Sequence, residues 1–476
     1  AGDAGSAILK DILANPSLAF DPVGILDDDQ RTHGRKLHGV SIVGDRHQLP
    51  ELVAALDVDQ VLFTVPSATS DVVRDVASLC ERAGVTLKVL PSIHEVVGGR
   101  VSARDIRDLS IEDLLGRQQV ETDLEAVGSI LRGQRVLITG AGGSIGSEIA
   151  RQVSGFEPAS MILLDHDETL LHDVSTDLPQ ARVILADIRD RARIFERLGR
   201  ERPEVVFHAA AHKHVPLLED HPEEALITNV IGTLNVAEAA MASGARRFVL
   251  ISTDKAVRPV SVMGASKRLA EQAVRAIQTT DCLVCTVRFG NVLGSRGSVI
   301  PTFLRQIAHG GPVTVTHPEM TRYFMSVHEA VQLVLQASAL ATGGEVFTLD
   351  MGEPVNILDL ARKVIRLSGR LPDTEIPLQI VGPRPGEKLF EDLVDEGENP
   401  VSTAHSGIVV SRPSLPDGDR LLESLRALER AIQKGQATDL GERLRDLAGG
   451  TDASLDSELA RTELKTTTTV PLEPGL

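Results

Sequence analysis

Short apolar runs recur along most of the chain, separated by stretches in which apolar positions fall three and four residues apart. The runs are the signature of strands buried on both faces, and the spaced stretches that of amphipathic helices. Near the start, runs at Val23–Leu26, Val61–Val65 and Val85–Leu90 alternate with helical periodicity at Leu49–Ala55 and Asp71–Ala83. This predicts a small parallel α/β domain over residues 1–95. Its opening, Ala1-Gly-Asp-Ala-Gly, runs directly into the helical pattern AILKDILAN. That reads as a strand-to-helix turn lacking its strand, a tight turn without bound nucleotide.

Residues 96–133 are charged and read as a largely helical connector packing on the domain after it. From Arg135 the alternation restarts more strongly. Strands are expected at Arg135–Thr139, Met161–Asp165, Arg182–Ala186, Val205–Ala209, Arg247–Ser252 and Cys282–Arg288, with helices at Pro222–Ala242 and Met263–Ile277. After Phe289 the pattern turns irregular and rich in Gly and Pro, then gives a strand at Val346–Leu349 and a helix at Ile357–Leu367. The expected fold is therefore α/β, two Rossmann-like doubly wound domains, the second (134–412) with a smaller mixed substrate-binding lobe from about 290 onward. Residues 413–476 read as a charged helix pair and a disordered tail, TELKTTTTVPLEPGL.

Composition narrows the function classes. The 476 residues carry 49 Lys and Arg against 67 Asp and Glu, a net charge of −18. So acidic a surface argues against nucleic acid or an anionic membrane as the main partner. Three cysteines make no disulfide framework, which fits a reducing cytoplasm. Cys282 and Cys285 lie in the run CLVCTV and read as a buried strand. No apolar run reaches the roughly 18 residues of a membrane span. Only one tyrosine occurs, Tyr323, so chemistry needing a tyrosine base has a single candidate.

The clearest motif is Val136-Leu-Ile-Thr-Gly140-Ala-Gly-Gly143-Ser-Ile-Gly146, a strand followed by glycines and a helix. Gly140 permits the turn, Gly143 a close approach of pyrophosphate, and Gly146 close packing of helix on sheet. Asp165 ends the next strand, 19 residues beyond Gly146. There a carboxylate accepts ribose hydroxyls and repels a 2′-phosphate, favouring NAD over NADP. Asp187, with Ile188 beside it, follows the third strand and suits an adenine amino group. Ala209, Ala210 and Ala211 are small enough for a cofactor to lie across.

The glycine spacing is that of extended short-chain dehydrogenases, whose Tyr-x-x-x-Lys moves protons. The matching segment here is Met263-Gly-Ala-Ser-Lys267. Lys267 is in place, but a methionine cannot exchange a proton. Ser252-Thr-Asp254-Lys255-Ala256 precedes it. Further segments are His208-Ala-Ala-Ala-His-Lys213-His-Val-Pro216, Arg288-Phe-Gly-Asn291-Val-Leu-Gly-Ser-Arg-Gly297-Ser298-Val299, Met320-Thr-Arg322-Tyr323 and Arg384-Pro-Gly-Glu387-Lys388. Together, over about residues 96–400, they closely resemble the bacterial polysaccharide-biosynthesis (CapD-like) nucleotide-sugar dehydratases. The N-terminal domain is similar to the long form, whose members usually carry membrane helices upstream. The resemblance thus implies a membrane-anchored parent and a homo-oligomer.

It implies as activity the 4,6-dehydration of UDP-N-acetylglucosamine to a 4-keto-6-deoxy sugar, in the branch that retains configuration at C5. Oxidation at C4 acidifies the C5 proton, a base removes it, an acid expels the C6 hydroxyl, and the hydride returns at C6. By resemblance Asp254 is the acid and Lys255 the base, its pKa lowered by burial beside Lys267. Thr253 bonds the O4 region, and Met263 occupies the tyrosine's place. Lys267 holds the nicotinamide ribose, while Ser144 and Ile145 complete the glycine turn. The O4 proton goes to Lys255 or to an ordered water. Lys213, Asn291, Gly297, Ser298, Val299, Arg322, Arg384 and Glu387 are the expected sugar-nucleotide contacts, the arginines on the diphosphate. No metal is expected of His208, His212, His214 and His221, since His208 ends a strand beside the cofactor and no cysteine joins them. The alternatives are a UDP-sugar 4-epimerase and a non-catalytic NAD-binding scaffold.

Overall fold

The strong runs from Arg135 onward assemble into one nine-stranded sheet. Its strands are β1 (Arg135–Thr139), β2 (Ser160–Asp165), β3 (Arg182–Leu185), β4 (Val205–His208), β5 (Arg247–Ile251), β6 (Leu283–Arg288), β7 (Glu345–Leu349), β8 (Val401–Ser402) and β9 (Ile408–Ser411). The order across the sheet is β8-β9-β7-β6-β5-β4-β1-β2-β3. Seven strands are parallel, and β9 and β8 close one edge antiparallel. Strand order reverses between β1 and β4, so a crevice opens at their carboxyl ends. The computed structural model describes residues 2–66, 68–90, 102–115, 122–414 and 417–449. The expected tail lies outside them.

The runs are continuous rather than alternating because both faces are covered. Val136 and Ile138 point into a cluster with Val127, Leu131, Ile149, Val153 and Val331. Leu137, between them, points into the opposite cluster with Ile194, Leu198, Val236 and Val274. Cys282 and Cys285 belong to these two clusters, and burial pushes their thiols up to about 11 and about 12. Such thiols are inert as a redox pair at neutral pH. The segment Pro222–Ala242 is long and apolar enough to cross a membrane, yet it is mostly buried as a core helix. Its middle, Ala225–Gly232, winds as a π-helix.

The chain forms two compact units, Ala1–Gln119 with Lys363–Pro372, and Val120–Arg362 with Asp373–Leu476. In the first, Gln60–Phe63 pairs parallel with Thr86–Val89, and Ile25–Leu26 parallel with Val40–Gly44. Val40–Gly44 is not among the expected strands. The connector expectation over 96–133 also needs correcting. Arg107–Asp108 is a strand, antiparallel to Thr86–Val89, so residues up to Gln119 go with the first unit. Backbone pairing with a distant strand overrides the helical charge pattern there.

Candidate active site

The crevice begins at the glycine turn. Gly140 has φ +66°, and a Cβ there would lie 2.6 Å from the Ala210 amide nitrogen. At Gly146 a Cβ would collide with the Gly140 carbonyl oxygen. Gly143 is different, because only that oxygen, at 3.1 Å, is near its missing side chain. Helix α1 (Ser144–Ser154) starts there without a side-chain cap, leaving its first amides, Ser144 and Ile145 among them, to an outside anion. The shape suits the pyrophosphate of a dinucleotide.

Asp165 is buried at the end of β2. Its Oδ2 accepts the Gly142 amide at 2.8 Å and its Oδ1 the Asp167 amide at 3.0 Å. Oδ2 keeps a second lone pair for a ribose hydroxyl, while His166 Nδ1 stands 3.2 Å from Oδ1. Asp187 is more occupied than its strand-end position indicated. Burial raises its pKa, but Arg189 grips both carboxylate oxygens and holds it below the ordinary aspartate value. Ile188 is buried against Gly232, and Ala209, Ala210 and Ala211 line the crevice half-buried. His208 binds Thr139 Oγ1 through Nδ1 (2.7 Å) and Thr233 Oγ1 through Nε2 (2.9 Å). Burial, with Lys267 nearby, pushes it down to about 3. Both nitrogens of this neutral ring are engaged, so it has no lone pair for a metal.

At the end of β5, Thr253 caps a single 3₁₀ turn, Asp254–Ala256. Helix α2 (Val262–Ala276) begins against this turn, and a Cβ at Gly264 would collide with the Lys255 carbonyl oxygen. That contact brings Lys267 to the strand end, where its Nζ donates to the Ile251 carbonyl at 2.6 Å. Asp254 is fully buried and Lys255 is 19% exposed, and their charged groups meet at 2.9 Å. Thr253 Oγ1 donates to Asp254 Oδ1 at 2.9 Å, while Asp254 Oδ2 has no partner.

One expectation is corrected here. Burial does lower a lysine pKa, but at Lys267, to about 8. At Lys255 burial also acts downward, yet the carboxylates of Asp254 and Glu391 outweigh it and leave the pKa above the ordinary lysine value. Met263 is buried in a cluster with Leu218, Leu226, Val230 and Leu425, so its thioether packs in a core.

The sugar-side residues divide. Arg322 is buried and gives its guanidinium to the carbonyls of Thr321 (2.7 Å), Lys388 (2.9 Å) and Leu389 (3.2 Å). It is thus a brace for the 388–391 segment, which needs its cation, and not a free diphosphate ligand as expected. Arg384 is exposed, its amide bonded to Glu387 Oε2 at 3.1 Å. Asn291 accepts from Lys255 Nζ at 3.2 Å. Gly297 has φ +71° and presses on His214, and Ser298 stands at the start of the helix carrying Val299 with its buried Oγ unpartnered and making no cap bond.

Two residues escaped the sequence reading. Arg296 reaches over the glycine turn to the Gly142 carbonyl at 3.1 Å, and its own carbonyl accepts from Lys213 Nζ at 2.9 Å. Glu391 Oε1 lies 3.4 Å from Lys255 Nζ. A carboxylate three residues past Lys388, set among apolar neighbours in KLFE, was the available signal.

Comparisons with known proteins agree with this architecture. A family described as polysaccharide biosynthesis protein matches residues 136–413, and one described as CoA-binding domain matches residues 1–91. The chain is 46% identical over 406 residues to the probable polysaccharide biosynthesis protein EpsC of Bacillus subtilis, covering 84% of this chain and 68% of that one. It is 45% identical over 408 residues to the capsular polysaccharide biosynthesis protein CapD of Staphylococcus aureus, with the same coverage. Among solved structures, Pen from Bacillus thuringiensis matches with a TM-score of 0.56 and 31% identity, over 60% of this chain and 91% of that one. With its parallel sheet, glycine turn and buried Asp–Lys pair, the chain belongs to the polysaccharide biosynthesis protein family.

Proposed function

We propose that the chain is an NAD-dependent 4,6-dehydratase of UDP-N-acetylglucosamine, retaining configuration at C5, that serves surface-polysaccharide synthesis. The observation that carries the reading is the buried Asp254–Lys255 pair at 2.9 Å, standing beside a crevice shaped for a dinucleotide. Gly140, Gly143, Gly146 and the α1 amides hold the pyrophosphate, Asp165 the adenosine ribose and Lys267 the nicotinamide ribose. When bound, NAD supplies the hydride acceptor and donor for C4 and C6. The small strand pairs within residues 291–325 and 355–380 form the sugar-nucleotide lobe, with Arg384, Lys213 and the Gly297–Val299 backbone toward the diphosphate. The three cysteines are free and buried, in keeping with a cytoplasmic enzyme.

The chain's own part is proton traffic. A lysine with a raised pKa is protonated at neutral pH and is no base. Moving one proton from Lys255 Nζ to Asp254 Oδ1 gives a neutral amine and a carboxylic acid. These are the two states needed to take the C5 proton and to protonate the departing C6 hydroxyl. The pair is neutral before and after, so the move adds no net charge to a buried site. Lys255 is regenerated as ammonium by the C5 proton, and Asp254 as carboxylate by loss of water.

The test is to incubate the protein with UDP-N-acetylglucosamine in deuterated water and record NMR spectra. A 4-keto-6-deoxy product with a C6 methyl group is expected. Inversion at C4 with C6 intact establishes the epimerase instead, and an unchanged sugar removes both.

A further inference from the structure

Lys255 is held by two carboxylates, and the proposed chemistry uses only one. Glu391 comes from a distant segment, its side chain only 3% exposed. Oε1 lies 3.4 Å from Lys255 Nζ and 3.7 Å from Arg322 Nε, and Oε2 is buried without a partner. The segment is pinned over the catalytic turn. Lys388 Nζ donates to the Val257 carbonyl at 2.9 Å, and Gly386 packs on Glu219 and Ser261. Among the described residues, the charged groups facing Lys255 are Asp254 on its own turn, Glu391 and Arg322. Asn291 is a neutral neighbour. Two carboxylates against two cations make the quartet neutral, and removing one carboxylate would leave it at +1.

We propose that Glu391 is a positioning residue for the acid–base centre: it holds the Lys255 ammonium between itself and Asp254 and so sets the pH at which Lys255 becomes neutral. The inference deepens the dehydratase reading and rests on it. Nζ carries three protons and has three oxygen partners, Asp254 at 2.9 Å, Asn291 at 3.2 Å and Glu391 at 3.4 Å. Releasing a buried ammonium from an opposing charge at this range lowers its pKa by roughly 1–3 units, with Arg322 adding repulsion.

Glu391→Gln keeps the shape and removes the charge. In the purified holoenzyme, the labelling rate of Lys255 by acetic anhydride, followed against pH by peptide mass spectrometry, reads its neutral fraction without any sugar. The midpoint is expected to fall by roughly 1–3 pH units relative to wild type. The descending limb of kcat against pH, where Lys255 gives to solvent the proton that Asp254 needs, is expected to move down by the same amount, with KM unchanged. An unmoved midpoint overturns the proposal. So does a raised KM with an unmoved limb, which makes Glu391 a substrate contact. Should Glu391→Gln not fold, Glu391→Asp keeps the charge, and its labelling midpoint is expected to stay with wild type. A midpoint displaced as far as charge removal predicts overturns the proposal there too. A wild-type protein inactive on UDP-N-acetylglucosamine sinks the dehydratase reading and leaves the labelling result to judge Glu391 by itself.

Discussion

At Lys255 two opposed effects compete, desolvation against the ammonium and two carboxylates in its favour, and the carboxylates win. Lys255→Ala and Asp254→Asn are each expected to slow turnover by roughly 10²–10⁴-fold, the usual worth of a general acid or base. Bound NAD and the circular dichroism spectrum should be unchanged in both. Met263→Leu, a nearly volume-conserving change in a packed cluster, should cost under about 1.5 kcal/mol and leave kcat within a few-fold. A Met263→Leu variant as inactive as Lys255→Ala would refute the division of roles. His208 gives a prediction of another kind. Its folded pKa of about 3 lies below the ordinary 6.5, so below pH 6.5 the unfolded chain binds the proton first. Stability is complete above that pH and drains, at about 1.4 kcal/mol per unit, as pH falls toward 3. His208→Asn should flatten this contribution in urea unfolding at pH 5, 6 and 7. The strand end and its Asp–Lys pair were legible in Ser252-Thr-Asp-Lys-Ala. The protonation bias was not, since it depends on Glu391, 136 residues further along.

At the scale of elements, the glycine turn separates two roles. Gly146 faces the Gly140 carbonyl, so Gly146→Ala forces α1 off the sheet, and a cost of about 1–3 kcal/mol is expected in thermal unfolding. Gly143 has an ordinary φ of −71°, and a Cβ there would stand 3.1 Å from the Gly140 carbonyl oxygen, tight but short of the collision at Gly146. Gly143→Ala should therefore lower the melting temperature of the cofactor-free protein less than Gly146→Ala while weakening NAD binding in calorimetry. Equal loss of stability in both variants would contradict the assignment. Behind β5 lies a buried charge network that the sequence pattern did not disclose. Arg288 on β6 bonds Glu271 of α2 at 2.6 Å and Glu398 at 2.7 Å, and Glu271 also accepts from Ser252. It ties the catalytic strand to α2 and to a segment more than a hundred residues later. Arg288→Ala would leave two buried carboxylates to the single cation of Arg268 and should cost about 3 kcal/mol, read by urea unfolding.

At the scale of the whole molecule, a ligand that binds only the folded state stabilises it by mass action. NAD at a hundred times its dissociation constant should add about 2.7 kcal/mol, and the rise in melting temperature reads it. NADP should give much less, because its 2′-phosphate would meet the Asp165 carboxylate. An equal rise with both nucleotides would remove that role from Asp165. Sequence by itself determined the doubly wound sheet and the glycine turn, because continuous apolar runs demand burial on both faces and the turn needs residues without side chains, both of them local constraints. It also marked Asp254, Lys255 and Lys267. It misread the segment around Arg107, whose strand character comes from a partner elsewhere, and it assigned Arg322 to a ligand when the fold uses that cation on backbone carbonyls. Only the tertiary structure decided that Lys267 and not Lys255 has the lowered pKa, and which carboxylate stands opposite Lys255. Electrostatic energies depend on distance and burial, and the chain sets those only once its remote segments have packed together.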